Sequence, residues 1–184
     1  MITLVVLGMK NMKVANIIIL LLFNVSVFCQ NTPSVTDSIT VKGVTTKFKN
    51  KYETDVIDFV DIHVYQHNTL YTSYKSNEEG YFEFNIPKNT YIVLAFEKDD
   101  YIIKRILFDT RANATSKKIN PFDIEIVMLK YFKGIDYNDL DFPITRVEYD
   151  PEIKDFNYVA KYTEMMLRKQ EKILMKMTRK SNQF

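Results

Sequence analysis

The chain has 184 residues, of which 46% are hydrophobic, and it contains 13 Phe and 12 Tyr. This apolar content supplies a packed core and excludes an intrinsically disordered chain. The low counts of 4 Gly and 5 Pro also exclude a fibrous or low-complexity protein. The formal net charge is +2 and falls to zero once Lys10 and Lys13 are set aside. A nucleic-acid partner, which needs a basic surplus, is therefore not expected.

Residues 1–29 have the plan of a secretory signal peptide. Two lysines precede an apolar stretch over residues 15–28 that is too short to span a membrane. We predict cleavage after Cys29, with Val27 and Cys29 as the small residues of the cleavage site, and export to the periplasm or the outer membrane. The alternatives are a retained N-terminal anchor and a lipoprotein that is lipidated on Cys29. Because Cys29 is the single cysteine, the mature domain has no disulfide and depends on its core.

Period-two alternation of apolar residues predicts about seven strands between residues 38 and 130. Residues 76–80 supply a turn in which Gly80 is free to adopt a positive φ. Phe82 and Phe84, which alternate with polar neighbours after this turn, are predicted to anchor the core. The clearest predicted strands lie at 38–45, 56–65, 81–86, 91–96, 101–108 and 122–130.

Three turn motifs in this region carry a family resemblance. The chain has Asn77-Glu78-Glu79-Gly80-Tyr81-Phe82-Glu83-Phe84, then Pro87-Lys88-Asn89-Thr90-Tyr91, then Asp100-Tyr101. These segments resemble the carboxypeptidase regulatory-like domain, whose pattern has Asp at position 77 and Gly at positions 89 and 100. Asn and Asp tolerate left-handed turn geometry best among non-glycine residues, so the departures keep the turns. The resemblance covers residues 38–130 and implies a transthyretin-like β-sandwich of the kind common in envelope proteins of Bacteroidetes-type bacteria.

The composition changes after the predicted sandwich. Residues 131–155 form an acidic segment, with a net charge of −5 between residues 134 and 155, and we predict that it is extended and packs on the sandwich. Residues 156–180 lack Gly and Pro and predict an amphipathic helix. Between residues 161 and 180 this helix has seven basic and two acidic residues, a net charge of +5.

The predicted helix has one apolar face, which is the candidate partner-binding surface. We expect this face either to bind an unidentified envelope protein or to lie on an anionic membrane surface. The alternative is that it packs on the protein's own sandwich, with its basic residues near the acidic segment. The face consists of Val159, Tyr162, Met166, Ile173 and Met177.

The sequence contains few candidates for a metal or catalytic site. His63 and His67 lie on a predicted strand, where a spacing of four residues separates them by about 13 Å, too far to share one metal ion. Asp99 and Asp100 are adjacent acids that could bind calcium but are more simply a solvated turn. The chain has no G-x-S-x-G or H-E-x-x-H motif. We therefore predict no catalytic residue, no cofactor and no metal site.

These observations predict a non-catalytic exported envelope protein that acts through protein–protein contacts as an accessory or assembly component. One alternative is a glycan-binding β-sandwich module that uses exposed tyrosines such as Tyr65, Tyr71 and Tyr74. A second alternative is a small hydrolase of the transthyretin-like fold. The closing Tyr-Arg-Gly-Ser motif of that hydrolase is absent, since the chain ends in Ser181-Asn182-Gln183-Phe184.

Overall fold

The computed structural model describes residues 38–48, 53–111 and 119–181, and the predicted signal peptide lies outside these residues. They contain eleven strands, a short 3-10 helix at Asn138–Leu140 and one long helix. The strands are β1 (Ser38–Phe48), β2 (Thr54–Val56), β3 (Asp61–Gln66), β4 (Thr69–Lys75), β5 (Tyr81–Pro87), β6 (Tyr91–Glu97), β7 (Tyr101–Ile102), β8 (Lys104–Asp109), β9 (Phe122–Lys130), β10 (Thr145–Asp150) and β11 (Asp155–Tyr158). The long helix is α1 (Ala160–Ser181).

The strands form two sheets that pack face to face. Sheet A has β1 at its centre, paired in parallel with β9 on one side and antiparallel with β5 and β2 on the other, and β7 pairs with the end of β9. Sheet B has the order β11-β10-β8-β6-β3-β4, antiparallel except between β8 and β10. The mainly β sandwich followed by a C-terminal helix is therefore confirmed.

The core lies between the sheets because alternate residues of each strand face inward. Phe82 and Phe84, the predicted anchors, are buried with only 3% and 5% of their surface exposed. At one side of the sandwich the Phe84 ring stacks on Tyr74 of β4 at 4.4 Å between centroids. At the other side Phe108 of β8 meets Phe122 of β9 edge to face at 5.2 Å. These ring contacts show that β4 lies over β5 and that β8 lies over β9.

The turns have the backbone geometry that the sequence predicts. Gly80 has a φ of +69°, and Asn89 and Asp100 have φ values of +60° and +66°. Asn89 and Asp100 therefore adopt the left-handed conformation, which Asn and Asp tolerate at low cost.

Two predicted strands are divided in the structure. The predicted strand 101–108 changes sheet at Ile103, so that Ile102 pairs with Leu129 in sheet A while Lys104 pairs with Phe96 in sheet B. The predicted strand 56–65 is likewise split between β2 and β3. A continuous apolar pattern shows that a segment is buried but not which sheet each half joins.

The acidic segment forms more regular structure than the sequence predicts. It contributes the short 3-10 helix and β10, which runs parallel to β8. Residues 155–158, predicted to open the helix or the stretch before it, instead form β11 and pair antiparallel with β10. The helix therefore begins at Ala160, four residues after the predicted start. Thr145 and Val147 are buried and Arg146 between them is half-buried, as in a strand with one face on the core.

Candidate functional site

The predicted apolar face of the helix is largely buried against the protein's own sandwich. Met166, Ile173 and Met177 are exposed by only 2%, 2% and 8%, while Val159 and Tyr162 are half-buried. Ile173 and Met177 join Leu129 and Leu140 in a small second core beside β9. The helix therefore covers this side of the sandwich with the face that the sequence predicts for a partner.

Polar contacts fix the same face of the helix to the chain. The Tyr162 hydroxyl donates to the Pro143 carbonyl at 2.8 Å, and the hydroxyls of Thr163 and Thr145 lie 2.6 Å apart. Lys169 pairs with Asp139 of the acidic segment at 3.1 Å. The expectation that the apolar face is free to bind a partner is therefore corrected. The face is buried against the rest of the folded chain, as the alternative of packing on the protein's own sandwich describes.

The opposite side of α1 is exposed and carries both cations and apolar residues. Met165 and Met175 are 46% and 50% exposed. The cationic residues Lys172, Lys176 and Arg179 lie within the same stripe because a helix turns 100° per residue, and all are exposed. These three cations form no ion pair with a carboxylate of the described residues. We call Met165, Arg168, Lys172, Met175, Lys176 and Arg179 the basic stripe.

The outer face of sheet A exposes large apolar side chains. Val44 lies directly opposite Tyr81 in the β1–β5 register, and Val56 lies opposite Thr46, between Val44 and Phe48. The four side chains of Val44, Phe48, Val56 and Tyr81 are 37%, 42%, 51% and 40% exposed, and we call them the apolar patch. The Tyr81 hydroxyl donates to the Glu83 carboxylate, which raises the pKa of Tyr81. This bond ties the polar end of the ring to the rim and leaves the patch apolar.

The outer face of sheet B carries a groove over β6. The register places His63, Ala95 and Arg105 in one row across β3, β6 and β8. Because Ala95 is small, the row leaves a depression of about 330 Å³, which we call the Arg105 groove. A second depression of about 520 Å³ adjoins it and shares Glu97. The Arg105 groove is lined by Tyr65, Asn68, Val93, Ala95, Glu97, Ile103, Arg105 and Pro143.

The charged groups on the outer face of sheet B differ in their contacts. His63 lies 2.9 Å from the Ser73 hydroxyl through Nδ1 and 3.7 Å from Glu97 through Nε2. Arg105 donates from Nη1 to the Asp141 carbonyl at 3.1 Å but forms no ion pair with any carboxylate in the described part of the chain. The Arg105 side chain is half-buried.

The three tyrosines considered for glycan binding do not form one platform. Tyr65 faces outward in the Arg105 groove, whereas Tyr74 points into the sandwich and stacks on Phe84. Tyr71 lies at the register shift between β3 and β4 and is 49% exposed. Tyr74 is therefore not available to a sugar ring that contacts Tyr65.

The histidines and acids considered for metal binding are also separated. His63 faces outward on β3, while His67 occupies the β3–β4 turn with a φ of +50°. Within residues 38–48, 53–111 and 119–181, no group of three or more His, Cys, Asp or Glu side chains could hold a metal ion. Asp99 lines the second depression and Asp100 occupies the left-handed turn before β7.

Sequence reasoning did not identify the Arg105 groove. The available signal was Ala95, which is the small member of the apolar run over residues 91–96. The groove, however, depends on the pairing of β3, β6 and β8, which brings together residues 42 positions apart in the chain.

Comparisons with known proteins give a limited result. No family model and no curated protein matches the chain. Among solved structures, the chain is similar to the Bacillus anthracis TIE protein at 13% identity with a TM-score of 0.35. The similarity covers 50% of this chain and 18% of that chain. In the part of the chain that the structure describes, no helix is long and apolar enough to cross a membrane.

Proposed function

We propose that this protein is a non-catalytic exported envelope protein that acts through protein–protein contacts, as an accessory or assembly component. The observation that carries the proposal is the apolar patch on the outer face of sheet A. The composition of residues 1–29 and the resemblance to carboxypeptidase regulatory-like domains support the cellular location.

The apolar patch has the features of a contact surface. The register places the four members on one face of β1, β2 and β5, with the buried Thr46, which donates to Glu125, between Val44 and Phe48. Contiguous exposed apolar surface with a polar rim is typical of protein interaction sites, because leaving it in water costs free energy that a partner recovers. Lys42, which pairs with Asp123 at 3.5 Å, lies beside the patch and supplies part of the rim.

A paired-variant capture experiment tests the proposal. We expect the double variant Phe48→Lys with Val56→Lys to lose partners that the tagged wild-type protein retains from envelope extracts. The matched control is Leu70→Lys with Tyr71→Lys, which replaces side chains of similar exposure, 52% and 49%, on the other sheet. Loss of the same partners in both double variants, or in neither, would contradict the assignment to the apolar patch.

The basic stripe supports a second contact, with an anionic membrane surface. Three cations that form no ion pair among the described residues and two exposed methionines lie along one side of α1, an arrangement that fits an anionic surface. The membrane contact is thus assigned to the basic stripe instead of the buried apolar face. Through it the protein would be a peripheral membrane component.

A further inference from the structure

The Arg105 groove combines an apolar floor with a single cation. Ala95, which lines the groove, is only 4% exposed. Val93, Ile103 and Pro143 supply apolar lining. A volume of about 330 Å³ is at the lower end of the range of small-molecule sites and fits a ligand of the size of a substituted aromatic acid.

The charge of Arg105 is incompletely satisfied. A guanidinium has five N–H donors, and the structure gives Arg105 one acceptor, the Asp141 carbonyl. Glu97 lines the same groove but forms no ion pair with Arg105 among the described residues, and its carboxylate lies 3.7 Å from His63 Nε2. A half-buried cation that has no carboxylate partner among the described residues favours the binding of an incoming anion, since charge-assisted hydrogen bonds strengthen where water is partly excluded.

We propose that the Arg105 groove binds a small molecule that carries a carboxylate on an apolar body. The carboxylate pairs with Arg105, and the apolar body lies over Ala95 between Val93 and Pro143. Glu97 closes one end of the groove and opposes a ligand that carries a second negative charge near it. This site is on sheet B and is independent of the apolar patch, so either proposal can fail without the other.

A titration with two matched probes tests the proposal. The probes are 4-phenylbutyrate and 4-phenylbutan-1-ol, which differ in the carboxylate, and the readout is backbone amide shifts in NMR spectra. We expect the acid to shift the amides of Val93, Ala95 and Ile103 and to bind about tenfold more tightly than the alcohol. Equal affinities, shifts confined to other strands, or no saturable binding of the acid would overturn the proposal.

Three single substitutions test the separate contributions of Arg105, Ala95 and Glu97 to ligand binding. Arg105→Gln should remove the preference for the acid, and Ala95→Leu should abolish binding of both probes by filling the floor. Glu97→Gln should tighten binding of the acid, because it removes a repulsive charge. If Arg105→Gln loosens the residues around Asp141, Ala95→Leu still decides, since it leaves Arg105 in place. Unchanged acid binding in Ala95→Leu, or weaker binding in Glu97→Gln, would exclude this geometry.

Discussion

At the scale of single residues, Gly43 shows how closely β1 and β9 approach. A Cβ added at Gly43 would lie 1.8 Å from the Ile124 carbonyl oxygen and 3.1 Å from the Phe82 ring. Both neighbours belong to the packed sandwich, so the backbone would have to move. We expect Gly43→Ala to destabilise the fold by about 3 kcal/mol or more. Urea denaturation measures this, and an unchanged midpoint would show that the two strands can separate at no cost.

The burial of the Lys104 side chain lowers the stability of the fold. It faces the interior from β8, is 4% exposed, and burial lowers its pKa to about 8 from 10.5. No described carboxylate pairs with it. Below pH 8 the charged form is buried at a cost of about 3 kcal/mol, since one pKa unit corresponds to about 1.4 kcal/mol. Between pH 8 and 10.5 the unfolded chain binds more protons than the folded one, so stability rises with pH.

The substitution Lys104→Met isolates this effect. The variant should be more stable than the wild type at pH 7, by up to about 3 kcal/mol, and the difference should shrink as the pH approaches 10. Thermal unfolding of both proteins at pH 7 and pH 10 measures the difference, and other titrating groups cancel between them. A variant that is less stable at pH 7 would mean that the Lys104 charge has a partner.

At the scale of elements, the helix is part of the fold. Its buried residues complete a small core with Leu129 and Leu140, so they should contribute as core residues do. We expect Ile173→Ala to cost about 2–4 kcal/mol. The matched control Met175→Ala, on the exposed side at 50%, should change stability by less than about 0.5 kcal/mol. Equal effects of the two substitutions in denaturation would show that α1 is detached in solution.

Strands with alternating apolar residues and with turn or charged residues at their ends could be predicted from the sequence. The structure has β9 at Phe122–Lys130, with the predicted bounds, because Pro121 precedes the alternating residues and the charged Lys130 ends them. The inward side of Phe82 and Phe84 follows from the same period. β10 and β11 were not predicted, because β10 pairs with β8 about 40 residues earlier in the chain and because the acidic residues of the β10–β11 hairpin resemble a solvated segment.

The candidate surfaces were less predictable than the fold, because they depend on contacts between segments that are distant in the sequence. The helix face was identified correctly as apolar, since a period of 3.6 residues places Met166, Ile173 and Met177 together. Amphipathicity does not reveal which surface such a face covers, and here it covers β9 and the acidic segment. The apolar patch and the Arg105 groove both require the strand register, which brings together Val44 with Tyr81 and Ala95 with Arg105.

At the scale of the whole molecule, the three surfaces lie on different sides of one sandwich. The apolar patch occupies the outer face of sheet A, the Arg105 groove the outer face of sheet B, and the basic stripe the exposed side of the helix. A protein resting on a membrane through the helix would therefore keep both sheet faces accessible. This arrangement agrees with an envelope component that is positioned at a surface by one contact and binds partners through another.

The basic stripe is predicted to bind anionic membranes. We expect the protein to sediment with vesicles that contain phosphatidylglycerol but not with pure phosphatidylcholine vesicles, and to dissociate as salt is raised, because screening weakens the attraction. The triple variant Lys172→Gln, Lys176→Gln, Arg179→Gln should bind about a hundredfold more weakly, at about 1 kcal/mol per cation near the surface. The control Lys42→Gln, Lys75→Gln, Lys98→Gln removes the same charge from lysines that pair with carboxylates elsewhere. It should bind nearly as well as the wild type, and an equal loss in both triple variants would assign the attraction to net charge rather than to the basic stripe.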